Sequence, residues 1–420
     1  MILVLDFGGQ YAHIIARRVR ELGVYSDVKP CDISLTEIGK MRPDGIILSG
    51  GPSSVYEHNA PIMNKKVLDL KIPVLGICYG EQLIGKYVGG TVLAGKLKEF
   101  GKKELIVKKN GRLLKNLSKK EQVWMSHGDL VAELPKDFEI LASTDTCRIA
   151  AFENEKRKLY GIQFHAEVAH TPSGTQILKN FVFDVCRAKK DWQIGDLPKK
   201  LVREIKKEVG SKSVIMGVSG GVDSTVAATL LHKAIGSKLY CVFVDHGLIR
   251  KNELEEVKEY FEKKLSFRHF FAVDASKMFL ERLKAVMDPE EKRKVIGHTF
   301  IEVFENKVAE LEKKHKYIKF LGQGTIYPDR IESAQPSKYA SKIKSHHNLT
   351  LPEKMKLKVI EPLKEFYKDE VRKLGKELKI PDEILNRHPF PGPGLAIRIL
   401  GEVTEDRLKI LKEADYIFID

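Results

Sequence analysis

The chain has 420 residues, 43% hydrophobic and 31% charged, and Lys and Arg outnumber Asp and Glu to leave a formal charge of +15. This length predicts two or three globular domains with real cores, and the balance excludes a disordered or fibrous chain. The positive charge lies in short runs such as Lys102-Lys103 and Lys313-Lys314, so a lysine-rich solvated surface accounts for it better than nucleic-acid binding. In chain order, residues 1–7 read as a buried strand. No basic segment or small-residue cleavage site marks them as a signal peptide, so the cytoplasm is expected. Residues 11–22 read as an amphipathic helix, 45–48 as a strand, 60–70 as a helix, and 74–77 as a strand ending at Cys78, with a helix from 82. The polar stretch 188–197 predicts a domain boundary. A second α/β series follows: helix 199–209, strand 213–218, helix 225–234, strand 240–244, helix 252–265, strand 269–273, helices 277–286 and 290–314, strand 319–322. The apolar runs 214–218 and 240–244 are too short to cross a bilayer. Alternating strands and helices predict an α/β protein with two doubly wound, mostly parallel sheets.

Of the five scattered cysteines, Cys31, Cys78, Cys147, Cys186 and Cys241, none forms a Cys-x-x-Cys pair, which disfavours a disulfide framework or zinc site and allows one reactive thiol. Gly76-Ile77-Cys78-Tyr79-Gly80 has the spacing of a nucleophile elbow, where small residues permit a sharp strand-to-helix turn. The helix N-terminus favours a thiolate and offers N–H groups to an oxyanion. Taken alone, Cys78 is as readily a small buried hydrophobe. Gln163-Phe164-His165-Ala166-Glu167 supplies a base and its orienting acceptor, although His165 alone reads as a structural histidine. Together with Asp6-Phe7-Gly8-Gly9-Gln10 and Leu48-Ser49-Gly50-Gly51-Pro52, these segments resemble a class I glutamine amidotransferase. The resemblance implies a Cys78–His165–Glu167 triad that releases ammonia from glutamine. It also implies oxyanion donors at Gly51 and Tyr79, and glutamine binding by Gln82. The chain departs from that pattern at Gly9, at Ala166 and at Glu81, where a carboxylate beside the elbow opposes a thiolate.

Ser219-Gly220-Gly221-Val222-Asp223-Ser224-Thr225 joins a strand to a helix. Glycines there let backbone N–H groups approach phosphate, and the Lys of a P-loop is absent. The turn resembles that of the N-type ATP pyrophosphatases, which implies ATP binding by these seven residues, Val244 near adenine, and Mg2+ near Asp223. Val242-Phe243-Val244-Asp245-His246-Gly247-Leu248 and the segments 123–129, 289–297, 323–333, 343–348 and 388–394 resemble the GMP synthetase family across nearly the whole chain. The resemblance implies glutamine-dependent conversion of XMP to GMP, with ATP cleaved to AMP and pyrophosphate. Arg293, Asp329, Glu332 and Lys344 then fall at the nucleotide site, although Arg293 alone reads as an exposed helix charge. The expected domains are an amidotransferase at 1–188, an ATP pyrophosphatase at 189–385, and at 386–420 the start of a dimerisation and XMP-binding domain that stops short. On that expectation a homodimer is disfavoured here. The alternative is a glutaminase whose second half binds ATP without completing the synthesis.

Overall fold

The computed structural model describes residues 1–333, 357–388, 390 and 394–419, without the side chains of 95–97 and 331–333. These residues form two compact units that part between Gln193 and Ile194. The first contains, in chain order, β1 (Ile2–Asp6), α1 (Ala12–Glu21), β2 (Ser26–Pro30), α2 (Leu35–Met41), β3 (Gly45–Leu48), β4 (Val74–Ile77), α3 (Tyr79–Tyr87), β5 (Thr91–Val107), β6 (Lys120–Glu133), β7 (Glu139–Ser143), β8 (Ala151–Asn154), β9 (Leu159–Ile162) and α4 (Gly174–Lys179). Its described strands make one sheet in the order β2-β1-β3-β4-β9-β8-β7-β5-β6. Pairing is parallel from β2 to β9 and antiparallel from β9 to β6. The apolar runs of β3 and β4 follow from this, because every residue of both is buried and parallel strands are covered on both faces. Residues 189–193 stay with this unit: the Trp192 N–H donates to Gly23 O at 3.0 Å, and the Arg20 guanidinium lies 4.9 Å from the Trp192 ring and 5.0 Å from that of Tyr25.

The second unit contains α5 (Leu197–Val209), β10 (Ser213–Gly217), α6 (Val222–Ile235), β11 (Leu239–Asp245), α7 (Glu253–Lys258), β12 (Phe270–Asp274), α8 (Ser276–Leu283), α9 (Pro289–Lys314), β13 (Ile318–Gly322), α10 (Tyr327–Ser333), β14 (Lys358–Ile360), α11 (Lys368–Glu377), α12 (Asp382–Leu385) and α13 (Glu405–Ile419). Its sheet runs β12-β11-β10-β13-β14 and is parallel throughout. The chain leaves β10 towards β11 on one side and later returns to β13 on the other. The carboxyl end of β10 is therefore a topological switch point, where open α/β sheets open a crevice for ligands. Leu395, Ala396, Ile399, Val403 and Leu408 share a core with Ile215 and Val242, so the described part of 386–420 packs with this unit.

Two expected elements differ. Residues 60–70 are not an α-helix: Pro61 brings no N–H, and Asn64 caps only a short 3-10 turn at Lys65–Asp69. The helix expected at 252–265 is α7 followed by a wider turn at Glu259–Lys264.

Candidate active site

In the first unit Cys78 sits between β4 and α3 with φ 52° and ψ −110°, a conformation that L-residues avoid unless the surroundings impose it. Here they do: the Cys78 N–H donates to Ile162 O at 2.8 Å, and glycines flank the turn. A Cβ on Gly76 would lie 2.5 Å from the backbone of Gly80 and Glu81, and one on Gly80 would lie 2.5 Å from Leu48 O. The elbow thus closes only with glycine on both sides. The Sγ of Cys78 lies 3.6 Å from Ser126 O, and a Cβ on Gly50 would lie 3.7 Å from Cys78 Cβ and 3.1 Å from His165 Cε1, so the two side chains face the same glycine. Nδ1 of His165 is 2.7 Å from Glu167 Oε1. The imidazole is fixed from three further directions. Its backbone N–H donates to Trp124 O, its carbonyl accepts from Thr171 Oγ1 at 2.7 Å, and the Tyr11 ring meets it edge-on at 5.0 Å. Burial opposes charge on His165, but the neighbouring Cys78 and the hydrogen-bonded Glu167 outweigh it and raise its pKa to about 10. This arrangement favours an imidazolium at His165.

Gly51 follows β3 against the Tyr79 ring, where a Cβ would lie 3.3 Å from Tyr79 Cγ. The Tyr79 hydroxyl donates to Pro61 O at 2.6 Å. The amide nitrogen of Gln82 donates to Asp129 O at 2.7 Å and to Gln163 Oε1 at 3.1 Å, so it braces β6 against the end of β9. Glu81 is fully buried, and neither carboxyl oxygen has a hydrogen-bond partner among the described residues. Burial, with a smaller contribution from Cys78, holds its pKa well above the usual carboxylate value.

In the second unit the 219–225 turn links β10 to α6, and Gly220 takes φ +71°. The turn closes on its own hydroxyls: the Ser219 N–H donates to Ser224 Oγ at 3.2 Å, and Ser224 Oγ donates to Gly221 O at 3.0 Å. A cavity of about 320 Å³ opens above it, and Ser219, Gly221, Val222, Asp223, Ser224 and Val244 are among its lining residues. Gly220 and Thr225 line a neighbouring cavity of about 600 Å³. Asp223 accepts from Lys368 Nζ at 2.6 Å through Oδ2, while its buried Oδ1 has no partner among the described residues. Burial raises the Asp223 pKa, Lys368 opposes this, and the nearby Asp329 adds to it. Asp329 Oδ2 also accepts from the Ile326 N–H at 3.0 Å. Lys368, Arg372 and Arg387 also line the first cavity, and Arg387 donates to Gly220 O at 3.1 Å. Sequence reasoning missed these three cations, which sit in otherwise ordinary charged segments. Arg293 pairs with Glu290 on α9 and is not among the residues lining either cavity. Lys344 and the side chain of Glu332 lie outside the described residues.

Residues 3–185 match the family model described as glutamine amidotransferase class-I, and residues 196–287 match the one described as NAD synthase. Three curated relatives carry the name GMP synthase (glutamine-hydrolyzing). Those from Carboxydothermus hydrogenoformans and Caldicellulosiruptor saccharolyticus are 53% and 52% identical over 420 residues. That from Aquifex aeolicus is 53% identical over 421 residues. Each match covers 100% of this chain and 81% of the relative. Both candidate sites fall inside a single match that runs the length of the chain, and the protein belongs to the glutamine-hydrolysing GMP synthase family.

Proposed function

We propose that this protein aminates XMP to GMP with nitrogen taken from glutamine and ATP cleaved to AMP and pyrophosphate. The observation that carries this is the 53% identity to a named GMP synthase over all 420 residues, a span that includes both the elbow and the phosphate turn. At the elbow, Cys78 sulfur attacks the carboxamide carbon of glutamine. The oxyanion takes N–H donors from Gly51 and Tyr79. His165, oriented by Glu167, delivers a proton to the departing ammonia and then draws one from the water that hydrolyses the thioester.

At the turn, N–H groups at the start of α6 and the cations Lys368, Arg372 and Arg387 would receive the phosphates of ATP. O2 of XMP attacks the α-phosphorus and pyrophosphate leaves. Ammonia then attacks C2 and displaces AMP. The unpartnered Oδ1 of Asp223, with Asp329 beside it, fits a hard divalent cation. Asp223 and Asp329 would hold Mg2+, which when bound offsets the charge of the leaving pyrophosphate. Arg293, Glu332 and Lys344 remain part of the proposed XMP site on the family resemblance alone. Five free cysteines fit the reducing cytoplasm as the compartment.

The test is GMP formation from XMP and MgATP with glutamine or ammonium as donor. Wild-type protein should use both, and Cys78→Ala only ammonium. If ammonium fails to rescue Cys78→Ala, the division of labour is wrong. If wild-type protein releases no pyrophosphate with XMP and ammonium, the glutaminase alternative replaces this proposal.

A further inference from the structure

His246 stands just past the end of β11, beside β10 and its phosphate turn. The strands pair with Gly217 opposite Val242, so both chains reach the carboxyl edge of the sheet together. The residue is buried, 7% exposed, yet it is part of the wall of the 320 Å³ cavity that holds Ser219, Asp223 and Lys368.

Its ring has little freedom. Nδ1 accepts the Leu248 N–H at 3.1 Å. The Leu248 carbonyl in turn accepts the Leu395 N–H at 2.8 Å, which ties the 246–248 turn to the chain beyond Gly394. Gly394 has φ +77°, and a Cβ there would lie 3.1 Å from His246 Cε1 and 2.5 Å from Leu248 O. Only glycine lets that segment press against the imidazole edge. The Phe279 ring lies 5.5 Å away. An imidazole that accepts through Nδ1 must carry its proton on Nε2. Nε2 makes no hydrogen bond among the described residues, and the cavity that His246 lines offers a place for one. Burial, with Lys412 adding to it, lowers the His246 pKa to about 4, so the ring stays neutral under ordinary assay conditions.

We infer that His246 is a positioning residue of the synthetase site: a fixed, neutral Nε2–H donor to an oxygen of ATP bound over the 219–225 turn. Lys368, Arg372 and Arg387 give the cavity its charge, but the ammonium of Lys368 is a point charge on a flexible stem and imposes little direction. A wedged imidazole adds direction at small entropic cost. The inference rests on the reading of that turn as the ATP site.

Two substitutions separate the roles of the two ring nitrogens. His246→Asn keeps a short acceptor for the Leu248 N–H and lacks the distal donor. His246→Gln restores a distal N–H. Titration of MgATP into the full chain, with thermal unfolding as the check on folding, should show His246→Asn weakened about tenfold, the order expected for one hydrogen bond. His246→Gln should recover most of that loss. A donor held in the ground state should raise the KM for ATP more than it lowers kcat for ammonium-dependent pyrophosphate release. His246→Asn binding ATP as wild type does overturns the inference while leaving the ATP site intact. Wild type binding no ATP overturns the parent reading and this inference together. Should His246→Asn unfold early, the 15N spectrum of histidine-labelled wild type decides. An Nε2-protonated neutral ring whose signal moves with ATP supports the role, and a doubly protonated or unmoved ring refutes it.

Discussion

Glu81 sets the chemistry beneath the thiol through its protonation state. Its folded pKa lies above the ordinary value of 4.5, so its share of stability is complete below pH 4.5 and is lost as pH rises towards the folded value. Glu81→Met removes an unpartnered buried carboxyl while keeping a side chain of similar length. It should stabilise the first unit by about 1–3 kcal/mol near pH 8 and by less near pH 5. Thermal melts at the two pH values check this, and a pH-independent gain would refute the protonation argument. His165 has the same sign of linkage in a higher pH window: its stabilising contribution is present below pH 6.5 and fades as pH rises through about 10. Because Cys78 is one of the groups that raise it, Cys78→Ala should bring the imidazole pKa down, visible in a histidine NMR titration. An unchanged pKa would mean the thiol does not reach the ring. The grouping of Cys78, His165 and Glu167 was legible in the sequence because an elbow and a His-x-Glu pair each sit within a few residues. Lys368 was not, since it lies 145 residues from Asp223 and only the packing of α11 on α6 brings the two together.

At the scale of elements, local pattern was most informative where burial is most complete. The all-apolar β3 and β4 and the boundary of α9, where Asp288 caps the N–H groups of Glu290 and Glu291, are written in the chain. The long antiparallel pair β5–β6 escaped, because the alternation around Lys102, Lys103 and Glu104 reads as solvated surface. Its pairing depends on a partner more than ten residues away, such as Trp124 opposite Lys102. Lys292 is another element-scale device that periodicity hides. The first turns of α9 carry it fully buried, and Nζ donates to the carbonyls of Ile399 at 2.7 Å, Gly401 at 2.6 Å and Ala396 at 3.5 Å. It thereby caps the 3-10 turn Leu395–Arg398 and fastens it to α9. Lys292→Met leaves those carbonyls without this donor and should cost about 2–3 kcal/mol in urea unfolding. Arg293→Ala, one residue on, removes a surface pair and should cost at most about 0.5 kcal/mol. Equal costs for the two would mean that Nζ caps nothing.

Among the described residues, each unit has a buried apolar cluster of its own. One gathers Leu3, Ile46, Val74 and Phe152 around the first sheet. The other gathers Ile215, Val242, Phe304 and Leu395 around the second. Each carries one candidate site at the carboxyl ends of its parallel strands. Two cores of this size need not unfold as one cooperative system, because two-state behaviour belongs to single small domains. A ligand stabilises only the unit that binds it, by RT ln(1 + [L]/Kd), or about 2.7 kcal/mol at 100 times Kd. Calorimetry of the full chain should therefore resolve two transitions that different reagents move. MgATP should raise the transition of the second unit, and a glutamine analogue that alkylates Cys78 should raise that of the first. His246→Asn should blunt the MgATP response, and Cys78→Ala should abolish the response to the alkylating analogue. A single transition that rises equally with either reagent would show instead that the two cores unfold as one cooperative block. Coupling between glutamine hydrolysis and nucleotide occupancy would then have to be sought in folding cooperativity as well as in catalysis.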